Sequence, residues 1–413
     1  MSSTKLTIHI GFCEEPIDSK QLTSDYFPSK IGGKPAWLDL GHIPKRDDLR
    51  CKRCSKQMSF LLQLYAPLSE GDLENSENCY HRVIYVFCCQ DGICSEYVVL
   101  RSQLPKKNDY YSETADEDKF NDDYKVEDKY LSKRTLLCEF CGSGSTAKCS
   151  GCQKYSYCCR EHQQEDWALG HQYECRLLRS SNNSTTTTAT TDAAFKKKKS
   201  VFHFKEFEII NEPEDITVLP PVDPNNNGQE IDSDDDEDDD DEETTTTEGT
   251  SKDLIVTSQN QIINEDIEQD VQDFLEATGQ SEFQLNDDEY LKKDKTLLHF
   301  KKSIASAHDQ ILRYSRDEKY PILWVSDEHK PTSEDIPNCE SCGSKRKFEF
   351  QILPQLLYFL GVDTVNYDSG RVNENDIDFG ILSVYTCEKS CNYSKDPTKG
   401  FIREYIWKQD FTK

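Results

Sequence analysis

Between Cys138 and Cys175 the chain sets out eight residues of the two kinds that hold zinc best. They are Cys138, Cys141, Cys149, Cys152, Cys158, His162, His171 and Cys175, separated by two, seven, two, five, three, eight and three residues. Zinc takes thiolate and imidazole in sets of four, and a site with four protein ligands leaves no position open for a substrate. Eight ligands therefore suit two structural ions better than one catalytic ion. A segment this short cannot bury enough apolar surface to fold alone, so metal binding must supply much of its folding free energy. The i, i+4 spacing of His171 and Cys175 places both on one face of a helix expected over roughly residues 162–178.

This pattern resembles the MYND zinc finger, in which the first and third ligand pairs share one zinc and the second and fourth share the other. The resemblance implies one site made of Cys138, Cys141, Cys158 and His162, and a second made of Cys149, Cys152, His171 and Cys175. MYND modules usually carry Cys where His162 stands, and imidazole serves zinc equally well. Cys159 is then a spare, non-ligating thiol. MYND fingers typically bind short proline-containing peptides, with a Gln just after the sixth ligand and a Trp four residues later lining the groove. Those positions match Gln163 and Trp167. The bulk of Trp167 would equally well cap the small metal core.

The remainder of the chain is long and dilute. Apolar residues make up 35% of 413 positions and the net charge is −28, which indicates globular parts separated by solvated acidic ones. Eighteen cysteines would suit a secreted disulfide protein, but the first thirty residues lack a basic-then-apolar leader and the cysteines cluster in C-x-x-C pairs. No apolar run approaches the roughly 20 residues that span a bilayer. The expectation is a soluble intracellular protein, cytoplasmic with the nucleus as the alternative location, with reduced thiols and no membrane partner. The strong acidity argues against direct nucleic-acid binding and for a basic protein partner.

Residues 1–112 read as a β-rich unit, with strands over Ser59 to Tyr65 and Arg82 to Cys89. In the second of these, Tyr85 and Phe87 share one face and Ile84 and Val86 the other, the mark of a strand buried on both sides. Gly32-Gly33 is a turn; it lacks the Lys-Ser/Thr of a phosphate loop. An acidic linker from Tyr111 to Leu131 leads to the finger at 132–179. Residues 180–260 read as a largely disordered Thr-rich and acidic insertion, with eleven acids in the twelve positions Asp232 to Glu243. Within it Lys196 to Lys199 is either a nuclear signal or a solvated lysine run, and Phe202, Phe204, Phe207 and Ile209 suggest a strand near 201–210. The last unit, 265–413, offers helices at Ile267 to Leu275 and at Leu297, Phe300, Ile304 and Ile311. Strands follow at Lys347 to Leu353, Ile381 to Thr386 and Phe401 to Trp407.

The two ends of the chain repeat one another. Cys51-x-x-Cys54 precedes Gln63 by nine residues, and Cys339-x-x-Cys342 precedes Gln351 by nine. Each half then has a strand closing on further cysteines: Cys88 and Cys89 with Cys94, and Cys387 with Cys391. The fold class expected is α+β, two related β-rich halves packed together, interrupted by the finger and the acidic insertion. Each half either holds a zinc-ribbon-like site or merely brings reduced cysteines together on neighbouring strands. Cys51, Cys54, Cys89 and Cys94 are one set, Cys339, Cys342, Cys387 and Cys391 the other, with Cys88 leaving the register of the first open.

Three stretches of the first half carry a wider resemblance: Phe27 to Leu38 (FPSKIGGKPAWL), Ser59 to Leu68 (SFLLQLYAPL) and Leu104 to Tyr111 (LPKKNDYY). With the finger, Gln310 to Tyr314 (QILRY), Phe350 to Leu357 (FQILPQLL) and Trp407 to Asp410 (WKQD), they resemble the programmed cell death protein 2 family. The resemblance implies a dedicated chaperone that captures a newly made small-subunit ribosomal protein of the S-five family and supports 40S subunit production. A basic, aggregation-prone client suits an acidic binding protein. The competing reading is a MYND peptide-binding adaptor in transcriptional or apoptosis-related regulation. An enzyme is not expected: the cofactor signatures of SET-domain methyltransferases that carry MYND fingers are missing, and no nucleophile–base or paired-carboxylate pattern stands out.

Overall fold

Strands such as those over Ser59–Tyr65 and His81–Cys88 bury side chains on both faces, so they need cover inside and out. A computed structural model describes residues 4–69, 76–113, 128–181, 198, 200–219, 254–257, 294–362, 377–392 and 399–411. Its strands are β1 (Thr4–Glu14), β2 (Lys30–Ile31), β3 (Ser59–Tyr65), β4 (His81–Cys88), β5 (Tyr97–Leu104), β6 (Ala147–Lys148), β7 (Ser156–Tyr157), β8 (Phe207–Leu219), β9 (Leu254–Thr257), β10 (Leu312–Tyr314), β11 (Arg346–Ile352), β12 (Ile381–Cys387) and β13 (Ile402–Gln409). Strands β6 and β7 form a small hairpin of their own. The larger sheet runs β1-β10-β11-β12-β13-β5-β4-β3-β2-β8-β9, and β8 also pairs with β1, so ten of these strands close into one antiparallel barrel.

The halves are therefore not two packed bodies, as expected from the repeat, but interleaved parts of a single barrel. By position in the repeat, β1 to β5 correspond to β8 and β10 to β13. The opening strand of each half is exchanged: β1 adds to β10 (His9 opposite Tyr314) and β8 adds to β2 (Lys30 opposite Glu208). The two exchanged strands pair with each other from Thr4 opposite Val218 to Glu14 opposite Glu208. On the far side β5 and β13 join the halves a second time, Arg101 opposite Ile402. The repeat extends to irregularities. A bulge falls between Phe60 and Leu62 of β3 and between Phe348 and Phe350 of β11. Gln63 and Gln351, fully buried, each clasp a loop: Gln63 Oε1 accepts from Ala36 N at 2.8 Å, and Gln351 Oε1 accepts from Leu323 N at 3.0 Å.

Inward-facing side chains fill the barrel. Ile84, Val86 and Cys88 of β4 meet Leu62, Leu64, Val99, Phe350, Leu382 and Val384. Val83, Tyr85 and Phe87 face outward, under a layer made of Trp37, Leu38, Leu49 and Met58. Gly11 sits where β1 packs tightly between β8 and β10, since a Cβ there would lie 3.1 Å from Ile209 Cγ2 and 3.2 Å from Leu312 Cβ. Gly32 ends β2 at φ +63°, and a Cβ would meet the Lys205 carbonyl oxygen at 2.1 Å.

One end of the interior is ionic. The bulge turns Glu349 inward, where Arg82 Nη1 and Nη2 hold its two oxygens at 2.5 and 2.8 Å and Arg316 Nη1 donates at 2.6 Å. Beside it Glu404 accepts from Arg101 Nε at 2.7 Å and from Arg346 Nε at 3.0 Å. Both clusters tie arginines of the first half to carboxylates of the second.

Elsewhere the structure shifts the expected boundaries. The helix Lys295–Ile304 is capped by Asp294 and stops at Ile304; Ile311 belongs to the entry into β10, its N–H donating to Gly11 O at 2.8 Å. The strand expected near 201–210 starts only at Phe207 and runs on to Leu219 as a barrel strand. Phe202 and Phe204 precede it, and Phe202 stacks obliquely on Phe140 of the finger at 5.1 Å, which accounts for the slip in alternation. The helix expected at Ile267 to Leu275, Lys196, Lys197 and Lys199 of the lysine run, and the acidic tract Asp232 to Glu243 lie outside the described residues.

Candidate metal centres

In the finger, tight turns and one bent helix bring distant ligands together. Each C-x-x-C pair is a turn in which the backbone wraps the first sulfur. Gly142 N donates to Cys138 O at 2.8 Å with Gly142 at φ +75°, and Gln153 N donates to Cys149 O at 2.9 Å with Gln153 at φ +55°. His162 comes from the helix Arg160–Asp166, whose N-cap is Cys159; the Cys159 Sγ accepts from His162 N at 3.4 Å. Cys159 is thus a cap and stands outside the ligand sets.

The single helix expected over 162–178 is broken. A π turn at Trp167–His171 contains Gly170 at φ 153°, and a new helix, Gln172–Ser181, carries Cys175. The kink swings His171 inward. Its Nε2 lies 3.8 Å from Cys152 Sγ, while its Nδ1 points towards Glu174 Oε2 at 3.8 Å, beyond hydrogen-bond distance.

The structure brings Cys138, Cys141, Cys158 and His162 into one group and Cys149, Cys152, His171 and Cys175 into another, each with ligand atoms within 4.8 Å of one another. Cys141 and Cys158 sulfurs are 3.8 Å apart, as are those of Cys149 and Cys175. A disulfide would need about 2.05 Å. Tetrahedral zinc with Zn–S near 2.3 Å gives an edge of about 3.8 Å. Both donor sets therefore fit zinc. Without an ion the thiols of one set diverge: burial opposes ionisation of Cys149, but the Cys152 N–H and His171 outweigh it and bring the thiol down to about 6, while burial and the Cys149 sulfur push Cys175 up to about 11.

Trp167 is 40% exposed, with its indole edge-on to the His171 ring at 5.7 Å, and Gln163 is half-buried on the same helical segment. The two are one helical turn apart, and Trp167 keeps a free face while covering part of the metal core.

Sequence reasoning missed how firmly the finger is docked. Trp37 Nε1 donates to Gly142 O at 2.7 Å, Thr135 N to Leu40 O at 2.7 Å, and Gly144 N to Pro44 O at 3.0 Å. Arg134 pairs with Asp25 at 2.6 Å. Burial pushes His203 down to about 4, so it is neutral at pH 7 and its Nε2–H donates to Phe140 O at 2.6 Å. These contacts tie the finger to the barrel along several segments, and no periodic signal in the sequence announces them.

Comparison with known proteins gives three family matches: "Programmed cell death protein 2, N-terminal domain" over residues 7–118, "MYND finger" over 138–175, and "Programmed cell death protein 2, C-terminal putative domain" over 294–410. Programmed cell death protein 2 of Rattus norvegicus is 34% identical over 409 residues, covering 99% of this chain and 98% of that protein. The Bos taurus protein of the same name is 34% identical over 98% of this chain and 96% of its own length. The probable 20S rRNA accumulation protein 4 of Schizosaccharomyces pombe is 33% identical over 105 residues, 24% of each chain. No solved structure matches.

Proposed function

This chain belongs to the programmed cell death protein 2 family, and from that premise we propose that it is a cytoplasmic, chaperone-type binding protein for a newly made small-subunit ribosomal protein of the S-five family, acting in ribosome production. The observation that carries the reading is the similarity of part of this chain to a protein named for 20S rRNA accumulation, which supports a role in ribosome production. Charge supports it. A chain of net charge −28 attracts a basic client and speeds encounter with it. The closed barrel supports it as well, because a rigid scaffold offers a preformed surface and loses little entropy on binding.

The test is capture of the tagged full-length chain from gently lysed cells, followed by sequencing of the co-purifying mRNA with and without puromycin. The expected result is puromycin-sensitive enrichment of the message for the S-five ribosomal protein, since a chaperone that binds during synthesis holds the translating ribosome. Absence of that enrichment, with the purified chain also failing to bind the purified ribosomal protein, refutes the reading. A second role rests on one observation, the exposed face of Trp167 next to Gln163. A proline-containing peptide would pack there, and Trp167→Ala would abolish that binding while leaving ribosomal protein capture unchanged.

A further inference from the structure

Two further sets of four thiols stand at equivalent places in the repeat, and we propose that each holds a structural zinc ion, so that the chain carries four: two in the finger and one in each half of the barrel. The first set is Cys51, Cys54, Cys89 and Cys94; the second is Cys339, Cys342, Cys387 and Cys391. In each, all four sulfurs lie within 4.8 Å of one another. Cys54 and Cys89 are 3.6 Å apart, Cys339 and Cys391 3.6 Å, and Cys342 and Cys387 3.5 Å. These separations are too long for disulfides and close to the edge of a zinc–thiolate tetrahedron, about 3.8 Å.

Backbone geometry gives a second, independent argument. In the finger, Cys138 N donates to Ser143 O and Gly142 N donates back to Cys138 O, with Gly142 at positive φ. The same turn recurs in the barrel. Cys51 N donates to Lys56 O at 2.9 Å and Ser55 N to Cys51 O at 2.9 Å, with Ser55 at φ +61°. Cys339 N donates to Ser344 O at 2.8 Å and Gly343 N to Cys339 O at 2.8 Å, with Gly343 at φ +78°. A non-glycine residue such as Ser55 is held in the left-handed region only where its surroundings demand it, and wrapping a backbone around a metal thiolate is such a demand. Cysteines that merely packed as small apolar groups would not need three copies of one turn.

The chemistry of the donors selects the ion. Four thiolates in a tetrahedron suit zinc, and the resulting double negative charge needs compensation. Arg101, fully buried, supplies it in the second half: its Nη2 donates to Cys391 O at 3.0 Å and lies 4.0 Å from Cys391 Sγ. The same ligand loop is held by Gln103 Nε2 on Ser390 O at 2.9 Å and Arg82 Nε on Ser390 Oγ at 3.1 Å, and Cys387 N donates to Glu404 at 3.1 Å. The second-half ion would thus fix the loop that side chains of the first half grip. Alternation decides the first-half register: Cys88 faces the barrel interior with Val86, which leaves Cys89 to face the ion.

The test is native mass spectrometry of the full-length chain with elemental analysis of the same sample. Four zinc ions per chain are expected; three or fewer, or iron in place of zinc, overturns the proposal. Cys138→Ser/Cys149→Ser, which empties the finger, should retain two ions, and Cys54→Ser and Cys342→Ser should each remove one. Loss of the barrel ions along with the finger ions, or no loss in either single variant, overturns it. Alkylation of the unmodified chain needs no variant: Cys342 is exposed, yet iodoacetamide should label it slowly until a strong chelator is added. Equal labelling with and without chelator overturns the second-half site.

Discussion

Replacing Glu349 by Ala would leave Arg82, which has no solvent exposure, and Arg316, which is 11% exposed, facing an uncharged cavity. The carboxylate now accepts five hydrogen bonds: two from Arg82, and one each from Arg316, Tyr314 and Thr386. Removing one partner of a buried ion pair costs about 3–5 kcal/mol, because the surviving charge has neither water nor counter-ion. Set against a usual stability of about 5–15 kcal/mol, that is a large share. At about 2–4 °C per kcal/mol for domains of 150–250 residues, the barrel transition should fall by roughly 10 °C. Scanning calorimetry and urea unfolding followed by far-ultraviolet circular dichroism are the assays. Removing both charges as Arg82→Met/Glu349→Met should cost less than the sum of the single changes by about 1 kcal/mol or more, since the two act as one unit. Acid gives a second readout. Burial alone would raise the Glu349 pKa, but Arg82 and Arg316 outweigh it and hold the group well below the usual carboxylate range. Its contribution is therefore complete above the unfolded value of about 4.3 and is lost as pH falls through the lower folded value. The gap in stability between the wild-type chain and Glu349→Gln should be constant from pH 7 to pH 5 and shrink below about pH 4. A cost for Glu349→Ala below about 1 kcal/mol, or strict additivity in the cycle, would refute the reasoning.

Gln351→Leu strips Leu323 N, Leu323 O and Tyr320 Oη of a shared partner, so it should cost about 2 kcal/mol or more in urea unfolding, and Gln63→Leu should match it because Ala36 N and Pro28 O lose theirs. Stripping zinc from the finger, or Cys138→Ser, should unfold more than the finger: Trp37, 3% exposed and bonded to Gly142 O, should become wetter, seen as a red shift of its emission in a Trp167→Phe background. An unmoved spectrum would mean that the finger folds independently of the barrel. Deleting Asp232 to Glu243 should lower the association rate for a basic client at low salt and leave dissociation nearly unchanged, measured by stopped-flow binding at two ionic strengths. An on-rate that stays constant would remove the tract from client capture.

Local chemistry made some features legible without any structure. Metal ligands must be Cys or His at short, fixed separations, so the eight finger residues stand out, and strands such as Ser59–Tyr65 and Ile381–Cys387 show themselves by aliphatic and aromatic side chains buried on two faces. The repeat was legible too, because Gln63 and Gln351 sit at one distance from a C-x-x-C pair for the same reason, a loop whose backbone must be satisfied. Gly170 is a single residue inside a helical pattern, and the kink it makes depends on where His171 must point. The exchange of β1 and β8 left no local trace, since antiparallel pairing reads the backbone and a strand can join either half with equal hydrogen bonding. Which half it joins is decided by the whole barrel: Gly11 clears space for Ile209 and Leu312, and buried Arg82 and Arg101 find their carboxylates only across the seam, on Glu349 and Glu404 more than 260 residues away in sequence.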